Sequence, residues 1–256
     1  MNLRKAVLSF GIVLSLSSQA HGATVSLLDK FDDGNIATNT GPGGIGSGFT
    51  TAYIDCYTGA GVTSSEASGI ATIGGASCVH WMQSNDAIDP TGTTMIWSLE
   101  KTTEDALLGW VQAGKDACCE PGIYLTITPN GVVFDLVSYT TTPGFQWQGR
   151  YFTIPAGSTA AGEVYPGYPA YSPGSGPMTA IVSISASGWA VSIHGSGVDI
   201  EKSGSYSSCP NPVNGQCITL SDVMSSPGVN GTLRPVGGGG RENQSIEYST
   251  VLVISN

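Results

Sequence analysis

Charge is what this 256-residue chain has least of. Only 11% of its residues are Asp, Glu, Lys or Arg, less than half of the usual ~25%. Nine are basic and 19 acidic, for a formal net charge of −10. So few Lys and Arg leave little to neutralise phosphates, which argues against nucleic acid as a partner. The 40% apolar content excludes the polar, charge-rich composition of disordered chains. Histidine is scarce too, at His21, His80 and His194. No G-x-S-x-G elbow, H-E-x-x-H pair or P-loop occurs, which removes the commonest serine-hydrolase, zinc-protease and nucleotide readings. Helical periodicity is missing from every window of a dozen residues. Only Thr102–Ala106 reads as a helical turn. No run is long enough for the ~20 apolar residues of a membrane span.

What the chain does have begins with a three-part N-terminus. Arg4 and Lys5 are followed by a mostly apolar run, Ala6 to Leu16, and then by small residues through Gly22. Ala20 and Gly22 suit the third and first positions before a cleavage site. This is the pattern of a secretory signal peptide. It predicts a leader over 1–22, one domain over 23–256, and a secreted or periplasmic protein. Both basic residues leave with the leader and no acid does, so the remainder carries seven basic and 19 acidic residues, a charge of −12.

Six cysteines, Cys56, Cys78, Cys118, Cys119, Cys209 and Cys217, behind such a leader argue for disulfides. Cys209 and Cys217 bracket a turn-rich segment that one bridge would staple. Cys56 and Cys78 each sit in a strand-like run. Cys118 and Cys119 are adjacent, so they either form a strained vicinal bridge or each reaches another partner. Neither the cysteines nor the histidines have the spacing of a zinc site.

From residue 23 the apolar period is two. Ile123–Thr128 and Val132–Val137 flank Pro129-Asn130-Gly131, and Ala180–Ser185 and Trp189–His194 flank a Ser-Gly turn, giving two hairpins. The closing run Ile246–Ile254 is apolar on both faces in its second half, which predicts a central strand. Further strands are expected over 25–31, 49–56, 70–73, 78–82, 94–99, 107–111 and 150–154. The Gly-rich clusters Gly41–Gly48 and Gly237–Gly240 read as loops. The first matches G-x-G-x-x-G, yet no strand-then-helix context supports a dinucleotide site.

Three segments together resemble the concanavalin A-like lectin/glucanase superfamily. They are Leu27-Leu28-Asp29-Lys30-Phe31-Asp32-Asp33-Gly34-Asn35 with its Gly-rich loop, the Val182–His194 hairpin, and the closing Ile246–Val253. The resemblance implies an all-β fold, an antiparallel two-sheet jelly-roll sandwich with first and last strands in one sheet. It also implies a structural calcium near the chain ends, with Asp32, Asp33 and Asn35 as candidate ligands and no other cofactor. Glucanases of this fold carry alternating acids on one strand, Glu-x-Asp-x-Glu or Glu-x-Asp-x-x-Glu, which places carboxylates on one face. Here Glu100 and Glu104 are separated by three residues, and Glu104 and Asp105 are adjacent.

With no such ladder, the expected function is a secreted, non-catalytic, lectin-like module with a polysaccharide or glycan as partner. Its candidate contacts are Trp110, Trp147, Tyr165, Tyr168 and Tyr171, since aromatic faces stack on sugar rings and neighbouring amides bond hydroxyls. One alternative is a structural or adhesion protein of the envelope or matrix. Another is a polysaccharide hydrolase or lyase with an unrecognised site, for which Glu100 and Glu104 are the pair to inspect.

Overall fold

The computed structural model describes residues 22–54, 61–75, 79–102, 106–112, 120–128, 131–139, 146–155, 177–195, 198–209, 217–239 and 244–256. Its strands are β1 (Thr24–Asp29), β2 (Phe49–Ile54), β3 (Val62–Ala67), β4 (Ile70–Gly75), β5 (Val79–Ser84), β6 (Thr93–Thr102), β7 (Ala106–Val111) and β8 (Gly122–Thr128). They continue as β9 (Gly131–Tyr139), β10 (Gln146–Pro155), β11 (Met178–Ile184), β12 (Gly188–Gly195), β13 (Val198–Ser205), β14 (Arg234–Gly239) and β15 (Gln244–Ser255). One short helix, α1 (Leu220–Met224), precedes β14.

The strands form two antiparallel sheets, a jelly-roll sandwich. The first runs β13-β12-β11-β6-β15-β4-β3, with β1 also paired to β15. The second runs β10-β9-β8-β7-β14-β5-β2. The apolar closing strand β15 is central, bonded to β6, β4 and β1. Both expected hairpins form, β8–β9 and β11–β12. Burial alternates residue by residue along β11 and β12, as a strand with one wet face requires. Between the sheets lies one core, in which Trp97, Trp110, Phe134, Tyr248 and Phe49 are fully or almost fully buried.

One expectation fails for a definable reason. Gly237–Gly239 are not a loop but the body of β14, a central strand. A Cβ at Gly237 would stand 2.9 Å from the Trp97 ring, and one at Gly238 would stand 2.6 Å from Trp81. The Trp97 ring occupies the space a side chain would need at Gly237, and the backbone of β5 at His80 and Trp81 occupies it at Gly238. The expected helical turn has strands at both its ends, Thr102 closing β6 and Ala106 opening β7, and residues 103–105 between them lie outside the described residues. The helix is α1, five residues long and too short for a periodic stripe. Its signal is a capping box, with the Thr219 hydroxyl accepting from Asp222 N and the Asp222 carboxylate from Thr219 N.

Cys209 and Cys217 are bridged, with Cα atoms 5.6 Å apart across eight residues of sequence. The other four cysteines lie outside the described residues. Closing so short a loop stabilises by about 2.5 kcal/mol in the chain-entropy model. Cys217→Ser is therefore expected to lower the unfolding free energy by that amount, read as a lower urea midpoint at unchanged slope. An unchanged midpoint would mean the loop is equally confined without the bridge.

Candidate functional site

The outer faces of the two sheets differ in kind. On the eight-stranded sheet the outward residues Thr94, Ser98, Thr179, Ser183, Ser192 and Thr250 are half-exposed. Hydroxyls there bond one another, as Thr94 does with Ser183 at 2.9 Å. This is an ordinary solvent face. The outer face of the seven-stranded sheet is built like an interior. Trp81, Val111, Tyr124, Val137 and Val236 form a second apolar cluster there, each less than a tenth exposed.

Strand register shows how this face is laid out. One transverse row crosses all seven strands as Thr50, Gln83, Val236, Gly109, Tyr124, Asp135 and Arg150. The neighbouring row holds Arg234, Val111, Gly122, Val137 and Gln148. At ~4.8 Å between strands, the full row is about 29 Å long.

Polar groups are set into this apolar strip at particular places. Gln83 and Asp135 are each 5% exposed. Gln83 Nε2 donates to Gln112 O at 3.3 Å, and the Tyr124 hydroxyl donates to Glu120 O at 2.6 Å. The Tyr124 ring lies across Gly122, 3.1 Å from where a Cβ would stand, and the Trp110 carbonyl oxygen stands closer still, so glycine is required there. Buried polar side chains are costly without partners and are the informative exceptions on a sheet face. An apolar strip with a few fixed polar groups is the usual make-up of a binding site. Asp135 is the carboxylate that the described residues place within this strip.

A second group of carboxyls lies at an edge of the sandwich. There a cleft of about 360 Å³ is lined by residues that include Asn35, Phe49, Thr50, Ser64 and Glu66. Burial raises the Glu66 carboxyl above its ordinary range, and burial likewise pushes Asp29 up to about 6. These groups hold the β1–β2 loop. Glu66 Oε1 accepts from Gly34 N at 2.7 Å and Asp29 Oδ1 from Phe31 N at 2.8 Å.

The residues singled out from sequence fall in several places. Trp110 is wholly inside the core, because its strand neighbours Leu107 and Val111 take the outer face, so its ring cannot stack on a surface glycan. Trp147 stands in β10, in register with Ser138. Tyr165, Tyr168 and Tyr171 lie outside the described residues, as does Glu104. Glu100 is exposed on β6, in the sheet opposite Asp135. Asp33 and Asn35 build their own turn. The Asp33 carboxylate accepts from Asn35 N, Thr38 Oγ1, Thr40 N and Thr40 Oγ1 at 2.7–3.0 Å, and these bonds hold it well below the usual carboxylate range. Asn35 Oδ1 accepts from Ala37 N, and a Cβ at Gly41 would overlap Asp32 Oδ1. Among the described residues no three His, Cys, Asp or Glu side chains converge as a metal site, and no helix is long and apolar enough to cross a membrane.

No family model and no curated protein sequence matches this chain. Solved structures do. β-Agarase A from Zobellia galactanivorans superposes with a TM-score of 0.56 at 11% identity, over 91% of this chain and 92% of that one. β-Agarase B from the same organism gives 0.52 at 10% identity, over 93% and 96%. The catalytic domain of an endo-1,3-β-glucanase (laminarinase) from Thermotoga petrophila RKU-1 gives 0.50 at 11%, over 92% and 98%. These neighbours correct the expectation of a non-catalytic, lectin-like module, since all three, matched nearly end to end, are named as polysaccharide-cleaving enzymes.

Proposed function

We propose that this chain, which has the concanavalin A-like jelly-roll fold, is a secreted polysaccharide hydrolase working on the outer face of its seven-stranded sheet. The observation that carries the reading is Asp135, a buried carboxyl group in a row with Tyr124 and Gln83, beside the apolar cluster of that face. The full-length likeness to two agarases and a laminarinase supports the reaction class. The leader-like N-terminus and the Cys209–Cys217 bridge support export.

Glycoside hydrolysis uses two carboxyl groups, ~5–5.5 Å apart for retention or ~6.5–9.5 Å for inversion. Asp135 is the member of that pair assigned to this face. Enclosure suits it to the work. A carboxyl among Tyr124, Val137 and Val133 sits where water is excluded and proton transfer to a leaving oxygen gains from the low dielectric.

The test is product release from agarose, laminarin, mixed-linkage glucan, a sulfated galactan and polygalacturonate, read as new reducing ends. The wild type is expected to cut at least one polymer. Asp135→Asn should lose activity by ~100-fold or more, as removal of an acid–base group does, with its melting temperature retained. No product from any polymer, or full activity in Asp135→Asn, would overturn the proposal.

A further inference from the structure

We propose that the substrate is an anionic polysaccharide, bearing carboxylate or sulfate groups, and that Arg234 is the side chain that receives the anion. The inference rests on the outer face of the seven-stranded sheet being the substrate site. It adds the chemical class that the site would select.

Arg234 opens β14, which runs between β7 and β5 in the middle of that sheet. Its register partner is Val111, and the next outward residue on its own strand is Val236; both belong to the apolar cluster of this face. Arg234 is half-buried, and its Nε is fully enclosed without a hydrogen-bond partner. His194, on the opposite sheet, pairs with Asp199 and Glu201, and neither pair involves Arg234. A guanidinium presents five donors and stays charged at any physiological pH. Setting one into an apolar strip with no anion bonded to it among the described residues is costly, unless the anion arrives with the ligand. The planar fork matches the paired oxygens of a carboxylate or sulfate.

The chain's net charge of −10 opposes polyanions only over the range that salt leaves unscreened, ~8 Å at physiological ionic strength. Several of the described acids lie elsewhere, while Asp86 and Asp89 flank Ile88, whose backbone pairs with Leu233 beside Arg234. Asp29, Asp33 and Glu66 surround the β1–β2 loop, and Asp199 and Glu201 lie beside His194. Asp135 stands on the same face as Arg234, but one row and three strands away, roughly 16 Å by strand spacing. The two groups therefore act on different sugar units. One anchors a charged unit while the other stands at the bond to be cut.

Affinity electrophoresis tests this with three kinds of gel: polygalacturonate for carboxylate, a sulfated galactan for sulfate, and laminarin or agarose as neutral polymers. The wild type is expected to be retarded at least tenfold more by one of the charged polymers than by the neutral ones at low salt. Arg234→Gln should bring that ratio down to about one, and Arg234→Lys, which keeps the charge and loses the fork, should keep part of it. Melting temperature and near-ultraviolet circular dichroism would confirm that the variants fold. If the wild type binds or cuts neutral polymers as well as charged ones, or if Arg234→Gln keeps the full preference, the inference fails and the substrate face stands. If no polymer is bound or cut, the substrate face fails and this inference with it.

Discussion

Trp97→Ala is expected to cost about 4 kcal/mol of stability, because it removes the largest side chain in the middle of the core. Trp97 is wholly buried on β6, a strand flanked by β11 and β15. Its ring stands 5.0 Å from that of Tyr248 and 6.0 Å from that of Phe49, centre to centre. Losing it opens a cavity that neighbours on three strands cannot all collapse to fill. Domains of this kind are stable by ~5–15 kcal/mol, so about a quarter or more of the total is at stake. Urea unfolding should show a much lower midpoint with an unchanged slope. Gly237 gives an independent check, because the ring occupies the place of its missing Cβ. Gly237→Ala alone should cost about 1–3 kcal/mol by overpacking. In a Trp97→Phe background, where the ring is smaller, it should cost clearly less. Equal costs in the two backgrounds would mean that Gly237 is glycine for some other reason.

That contact also explains why β14 could not be read from its own sequence. A Pro-Val-Gly-Gly-Gly run carries every local sign of a loop. It fits as a strand because the Trp97 ring and the β5 backbone at His80 and Trp81, far away in sequence, fill the space on its two faces. The edge strands β3 and β13 were hidden for another reason. Val62–Ala67 and Val198–Ser205 are mostly polar, so no apolar alternation marks them. Where one face is wet and the other is core, as along β11 and β12, period two was legible. The same limit applies to the candidate site. Val111, Tyr124 and Val137 could be read as strands buried on both faces. That Gln83, Asp135 and Arg234 share that outer face follows only from strand register. An acid ladder on a single strand is visible in sequence, but single polar residues from three different strands are not.

Asp29→Asn and His80→Leu are expected to tilt the dependence of stability on pH in opposite directions, by up to about 3 kcal/mol each between pH 7 and pH 4. Asp29 is 2% exposed, with Oδ2 enclosed and unpartnered, and burial raises its carboxyl to about 6 in the folded chain. The folded state then holds this proton more tightly than the unfolded state does, so the group adds stability as pH falls from 6 towards 3.8. Glu66, raised by burial as well, acts in the same direction. His80 is 1% exposed, neither ring nitrogen has a partner, and burial lowers it to about 4. Here the unfolded state binds the proton more tightly, so stability present above pH 6.5 is lost as pH falls through 4. In the wild type the two effects largely oppose each other across the same window. Removing the Asp29 charge leaves the histidine loss uncovered, so Asp29→Asn should lose stability on acidification relative to wild type. His80→Leu should gain it. The measurement is the urea midpoint of the three proteins at pH 7, 5.5 and 4, taken as differences so that all shared groups cancel. Parallel curves would mean that neither buried group titrates differently in the folded and unfolded chains.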